Sequence, residues 1–169
     1  NGPTAWPHYY REGVEPPGST GGLRGRKWSL YEGGIRTPFI IRRPGKVPAG
    51  TVNEKTVLGG VDWFPSVCAL AGVAPPEGVV FDGEDLSAAF LGKKVTRQNV
   101  LFWEYGRAAK MLRPGAVDDR SPSLAVREGD WKLLMNQDGS NVELYNLSRD
   151  QEEKTNLASK EPETAARLK

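Results

Sequence analysis

Three short apolar runs lie between Leu124 and Leu147, and the links between them are too short for anything but antiparallel pairing. Leu124–Arg127 reads as a strand, Glu128-Gly129-Asp130 as a turn and Trp131–Met135 as a second strand. Asn136–Ser140 contains Asp138-Gly139, a strong hairpin signal, and Val142–Leu147 supplies a third strand. Val100–Glu104 also has strand composition. From Pro162 to Lys169 the pattern predicts a helix with Pro in its first turn, where the missing N–H costs little.

Upstream the signals change. Pro38–Ile41 (PFII) is almost wholly apolar, with Gly33-Gly34 before it and Pro44-Gly45 after it, the pattern of a strand buried on both faces. Val61–Ala71 predicts a helix. Asp62 can cap it, Pro65 falls in the first turn, Trp63, Val67, Leu70 and Ala71 share one face, and Gly72 closes it. Asp85–Leu91 predicts a short helix ended by Gly92. Residues 1–34 hold many Gly and Pro and read as one long ordered loop, with Trp6, Tyr9, Tyr10, Trp28 and Tyr31 favouring order. The expected organisation is α/β and unequal. Residues 1–92 look like the C-terminal end of an α/β domain, and residues 93–169 like a small antiparallel-sheet subdomain with a terminal helix. The first part should not stand alone, because a strand buried on both faces needs neighbours.

Composition narrows the function classes. The 23 basic and 21 acidic side chains give a net charge of +2, which excludes a strongly basic nucleic-acid binder. No apolar run is long enough for a membrane helix. A single Cys excludes an internal disulfide and a multi-Cys zinc site, and a single His excludes a His-based metal cluster within the chain. The chain begins with Asn rather than Met, as a piece of a longer protein would.

The densest chemistry lies in Gly21–Arg36, GGLRGRKWSLYEGGIR, with five glycines and the cations Arg24, Arg26, Lys27 and Arg36. Glycines let a backbone bend close to a ligand, and cations beside them suit sulfate or phosphate. The spacing is not that of a phosphate-binding P-loop. On composition alone a solvated basic loop outweighs an anion site. Other candidates read as structural. Trp103 and Trp131 could stack on a sugar but fit a core; Asp118-Asp119 and Glu152-Glu153 read as solvated charge; Cys68, on an apolar helix, reads as a buried thiol.

Four blocks then carry a resemblance: Asn1-Gly2-Pro3; Leu23-Arg24-Gly25-x-Lys27; Ser29-Leu30-Tyr31-Glu32-Gly33-Gly34-Ile35-Arg36-x-Pro38; and Arg43-Pro44-Gly45. Together they resemble the formylglycine-dependent sulfatases, in the arylsulfatase and N-acetylgalactosamine-6-sulfatase branch. Val61-Asp62-Trp63-Phe64-Pro65, Phe81-Asp82-Gly83, Phe102-Trp103-Glu104-Tyr105, Arg127-x-Gly129-Asp130-Trp131-Lys132-Leu133 and Glu143-Leu144-Tyr145-Asn146-Leu147 agree.

The resemblance implies the C-terminal part of an alkaline-phosphatase-like sulfatase fold and a parent enzyme that hydrolyses sulfate esters of sugars or aryl alcohols. It also implies a calcium ion and a secreted, periplasmic or lysosomal setting. Lys27 matches the lysine that contacts the sulfate, and Asn1 the Asn of the calcium motif. His8, among Trp6, Pro7, Tyr9 and Tyr10, does not match the catalytic histidines; it is a candidate to face the substrate pocket, against which a packed or surface imidazole is the stronger reading. The nucleophile motif C-x-P-x-R is missing, since Cys68 is followed by Ala69-Leu70-Ala71. The chain alone is therefore expected to be inactive and to need the N-terminal part of the same protein as partner. Two rival expectations are a non-catalytic fragment that binds sulfated glycans, and an inert remnant that self-associates through Pro38–Ile41.

Overall fold

The computed structural model describes residues 2–4, 18–106 and 111–169. It resolves two compact units, one of Asn1–Pro38 with Phe102–Lys169 and one of Phe39–Leu101. The division expected near residue 92 groups the chain differently, because the Gly-rich block packs with the C-terminal sheet.

The first unit is built on a four-stranded sheet in the order β1-β2-β3-β4, with β1 at Leu101–Glu104, β2 at Leu124–Glu128, β3 at Trp131–Met135 and β4 at Glu143–Asn146. The meander has the predicted form. β2 pairs antiparallel with β3 from Leu124↔Met135 to Glu128↔Trp131, leaving Gly129-Asp130 as the turn. β3 pairs with β4 from Trp131↔Asn146 to Leu134↔Glu143.

Side chains alternate across a strand, so this register assigns the two faces. Leu124, Val126, Leu133, Met135 and Leu144 share one face. Leu168 of α4 (Pro162–Leu168) lines a cavity of about 450 Å³ with the first four of them. Ala125, Arg127, Lys132, Leu134, Glu143 and Tyr145 share the other. Ala125, Leu134 and Tyr145 join Leu30, Tyr31 and Leu147 in a buried apolar cluster, against which Ile35 and Trp103 pack. The same face carries two cations, a carboxylate and a phenol, which an open sheet would leave in water. Here the segment around the one-turn helix α1 (Glu32–Ile35) covers them.

Lys132 is wholly buried. Its Nζ lies 2.9 Å from Glu32 Oε1 and 2.8 Å from Glu153 Oε1. Glu153 Oε2 accepts the Glu32 backbone N–H at 2.6 Å, and Arg127 approaches Glu32 Oε2 at 3.7 Å. Burial pushes the Glu153 carboxyl above the usual carboxylate range, against the pull of Lys132. Glu153 thus departs from the solvated charge its sequence position implies. The run Glu152-Glu153 gives no sign that one member pairs with a lysine on a distant strand.

The second unit has α2 at Trp63–Ala71, led by a 3-10 turn at Gly60–Asp62, and α3 at Ser87–Phe90. Gly72 adopts the left-handed φ of 67° that ends α2, as the sequence predicts. Asp62 does not cap α2 with its side chain. Fully buried, it instead accepts the N–H groups of Gly59 at 2.6 Å and Glu84 at 3.0 Å, and pairs with Arg97. Ser66, also buried, accepts the Leu86 N–H at 2.9 Å. Buried polar groups thus fix the inner side of α2, while Trp63, Val67 and Ala71 of its expected apolar face stay exposed and Leu70 is half-buried. Cys68 is only half-buried, which corrects the reading of a core thiol.

Pro38–Ile41 does not form the expected strand. No backbone ladder pairs it among the described residues, and Ile40 is 88% exposed. Phe39 packs instead as a ring against Trp63 and Phe90, with centroids 5.7 and 5.3 Å apart. An apolar run favours burial, but it becomes a buried strand only where another strand supplies hydrogen-bond partners and a neighbouring layer covers it.

Replacing Lys132 by Met should leave Glu32 and Glu153 facing each other in the interior. A loss on the order of 3–5 kcal/mol is expected in urea unfolding, the usual cost of stripping one partner from a buried pair. Loss of under about 1 kcal/mol would show that the pair is dispensable.

Candidate functional site

Lys27 sits in a loop whose path is set by glycines that have no room for a side chain. A Cβ on Gly33 would stand 2.3 Å from the Gly25 carbonyl oxygen and 2.6 Å from that of Arg24. One on Gly34 would meet the Ser29 oxygen at 2.1 Å, and one on Gly2 the Gly33 oxygen at 1.8 Å. Hydrogen bonds tie the same strands of chain together. The Gly33 N–H donates to Arg24 O at 2.7 Å, the Gly2 N–H to Gly34 O at 3.0 Å, and the Lys27 N–H to Pro3 O at 3.1 Å. Gly2-Pro3 and Glu32-Gly33-Gly34, far apart in sequence, are therefore in backbone contact beside Lys27.

The four cations of this block have different fates. Arg24 donates to the Tyr145 hydroxyl at 3.0 Å, the Glu153 carbonyl at 3.2 Å and the Asp118 carbonyl at 3.1 Å. Its guanidinium also lies 3.9 Å from the centre of the Tyr31 ring and 3.7 Å from Glu143. Tyr31 and Tyr145 both donate to Glu143 Oε2 at 2.8 Å. Burial, reinforced by that carboxylate, raises both phenol pKa values, so neither hydroxyl ionises at physiological pH. Arg26 pairs with Asp119 at 3.5 Å, and Asp119 also accepts the Gly25 N–H at 3.2 Å. Arg36 lies 3.9 Å from Glu32 and donates to Gln151.

Lys27 pairs with no carboxylate among the described residues. Its half-buried side chain places Nζ 5.7 Å from the centre of the Trp28 ring. Of four basic side chains that composition treats alike, three are fastened to the fold and one has no counter-charge among the described residues. A compact ammonium with three donors suits a tetrahedral anion.

The other sequence candidates separate cleanly. Asn1 and His8 lie outside the described residues. Asp119 is a loop anchor rather than solvated charge, while Asp118 is exposed. Trp103 packs against the buried cluster, and Trp131 is half-buried on the opposite face of the sheet. Among the described residues no group of three or more His, Cys, Asp or Glu side chains could hold a metal ion. The residues that position the Lys27 loop, Glu32, Lys132, Glu143, Tyr145 and Glu153, were not readable as a set. Four of them do fall within the motif blocks, which was the available signal.

Comparison with known proteins gives the setting for this geometry. Residues 24–169 match the family model described as N-sulphoglucosamine sulphohydrolase, C-terminal. A protein of Formosa agariphila named sulfatase is 32% identical over 160 residues, covering 89% of this chain and 28% of the relative. The N-acetylgalactosamine-6-O-sulfatase of Bacteroides thetaiotaomicron is 29% identical, covering 86% and 28%. A solved structure from Bacteroides thetaiotaomicron, from work on its metabolism of multiple glycosaminoglycans, has a TM-score of 0.68 at 27% identity. It covers 88% of this chain and 30% of the solved one. The chain thus spans less than a third of the length of these relatives.

Placing Ala at Gly33 should force apart the carbonyls of Arg24 and Gly25 and cost on the order of 2–3 kcal/mol in unfolding experiments. Gly115, which has nothing within 4 Å of its would-be Cβ, is the control; its Ala variant should stay within about 0.5 kcal/mol of the parent. Equal effects at the two positions would refute the steric account.

Proposed function

The chain belongs to the sulfatase family, in its N-sulphoglucosamine sulphohydrolase C-terminal region, and from that premise we propose that it is the C-terminal portion of a sulfuric-ester hydrolase acting on sulfated sugars. In this reading Lys27 contacts the sulfate group. The ester transfers its sulfuryl group through a transition state in which negative charge shifts within the sulfate and onto the departing oxygen. A fixed positive charge there lowers the barrier without taking part covalently. The observation that carries the proposal is the sorting of charge in the Gly-rich block: three cations bound to carboxylates or hydrogen-bond partners, and Lys27 with no carboxylate partner among the described residues.

The nucleophile is proposed to come from the remaining two-thirds of the parent protein, as a formylglycine made from C-x-P-x-R. Asn1 is proposed to give one ligand to a calcium ion that polarises the sulfate. The described residues alone do not form a calcium site, and the role assigned to Lys27 does not depend on one. The sugar preference is supported by the N-acetylgalactosamine-6-O-sulfatase named among the relatives. The exposed Ile40, Trp63 and Phe64 support the idea of a larger α/β body around Phe39–Leu101, since several large apolar side chains left in water on one small unit suit a contact surface.

Two outcomes follow. The purified chain should not turn over an aryl sulfate, and turnover that persists after exhaustive repurification would refute the division of labour. In the full-length protein, Lys27→Ala should lower kcat/KM on the order of a hundredfold or more with no shift in unfolding midpoint. Wild-type kinetics for that variant would remove Lys27 from the site. If the full-length protein binds sulfated glycans through Lys27 but never cleaves them, the non-catalytic binder is the correct reading.

A further inference from the structure

The Ser29 N–H donates to the Arg26 carbonyl at 3.0 Å, closing a four-residue turn around Lys27 and Trp28. Trp28 has a φ of 76°, while Lys27 is not among the left-handed residues. A positive φ at the third position only is the type II form, which ordinarily takes Gly or Asn there. A bulky side chain at such an angle is an outlier, because its Cβ crowds the backbone. Neighbouring bonds hold the strain in place. Lys27 is fixed to Pro3 through its N–H, and the Leu30 N–H donates to Ser121 Oγ at 2.7 Å.

The backbone alone would favour glycine at this position, and strain of this kind points from an observed outlier to a role for the side chain. The half-buried indole lies with its ring centre 5.7 Å from Lys27 Nζ. A cation at that range is attracted to the π face of an indole. The difference from the other three cations is chemical. A carboxylate restrains a cation and cancels its charge, whereas an aromatic face restrains it and leaves the charge in place. A lysine on its four-carbon stem otherwise samples many rotamers, and ordering it would count against ligand binding.

We propose that Trp28 is a positioning residue for Lys27: its indole keeps the ammonium in place without neutralising it, ready for the sulfate of the substrate. This rests on the reading of Lys27 as the sulfate contact.

The test uses the full-length protein with para-nitrophenyl sulfate, comparing Trp28→Gly, Trp28→Asn, Trp28→Phe and Lys27→Ala. Trp28→Gly relieves the backbone, so its unfolding midpoint should equal or exceed that of the parent. Its KM should rise roughly fivefold, with kcat changed less, as expected for loss of one partly exposed cation–π contact. Trp28→Phe keeps an aromatic face and should recover most of the KM. A merely structural tryptophan would lower the midpoint and would not split KM from kcat. A wild-type KM in both Trp28→Gly and Trp28→Asn overturns the proposal. So does a raised KM that Phe does not restore, and so does loss of fold in both ring-free variants. If Lys27→Ala is itself unimpaired, the sulfate-contact reading fails and this inference falls with it. If Lys27→Ala is crippled while Trp28→Gly is normal, only the inference fails.

Discussion

An ammonium group taken wholly out of water must bring its counter-charges with it, and in this chain that requirement organises the larger unit. Lys132 projects from the middle of the sheet into a space closed by Glu32 of α1 and by Glu153 from the segment after β4. Each carboxylate reaches it from far along the chain, 100 residues in the case of Glu32. The Glu32 amide donates to Glu153, so the two acids are bound to each other as well as to the cation. Breaking any one partner leaves an unpaired charge in the interior, at a cost far above that of a surface pair. Desolvation makes such a cluster a weak source of net stability, so its effect lies in specificity: one docking of the Gly-rich block brings its charges together, with Glu32 Oε2 and Glu153 Oε1 held by neighbouring cations rather than by hydrogen bonds.

That docking fixes the Lys27 loop. With Glu32 pinned to the sheet, the following glycines lie against the Leu23–Ser29 backbone at distances no Cβ could share. The contact is therefore backbone on backbone, and it sets the turn from Arg26 to Ser29 with little dependence on the side chains of the turn itself. The ionic cluster and the glycine contacts act in series: one places the segment, and the other shapes it.

How much of this was legible follows from what each signal measures. The meander from Leu124 to Asn146 was readable because its pairing is local and its links are two to a few residues long. α2 and its Gly72 stop were readable for the same reason. Pro38–Ile41 was misassigned because both burial and strand formation depend on partners elsewhere, and in this chain Phe39 and Ile40 stay exposed. Glu153, Asp62 and Asp119 read as caps or solvent-facing charge because nothing near them in sequence shows the distant amides and cations they meet. The motif blocks marked the neighbourhood of the candidate site without giving the geometry: Glu32 and Lys132 each sit inside one, yet neither block shows that they touch.

The same reasoning explains why a basic loop is a poor description of Gly21–Arg36. A count of cations treats all four as equal, but an anion responds to the charge left after internal pairing. Glu143 answers Arg24, Asp119 answers Arg26, and Glu32 stands beside Arg36 while also serving Lys132 and Arg127. Glu143 and Asp119 lie on segments that pack against the block and Glu32 lies within it, so folding removes most of the basic character that the sequence displays. Among the described residues the cation of this block left without a carboxylate is Lys27, next to a ring that cannot neutralise it. In the proposed reading, one oriented charge on a fixed turn would select an anion by geometry, which four mobile ones could not do.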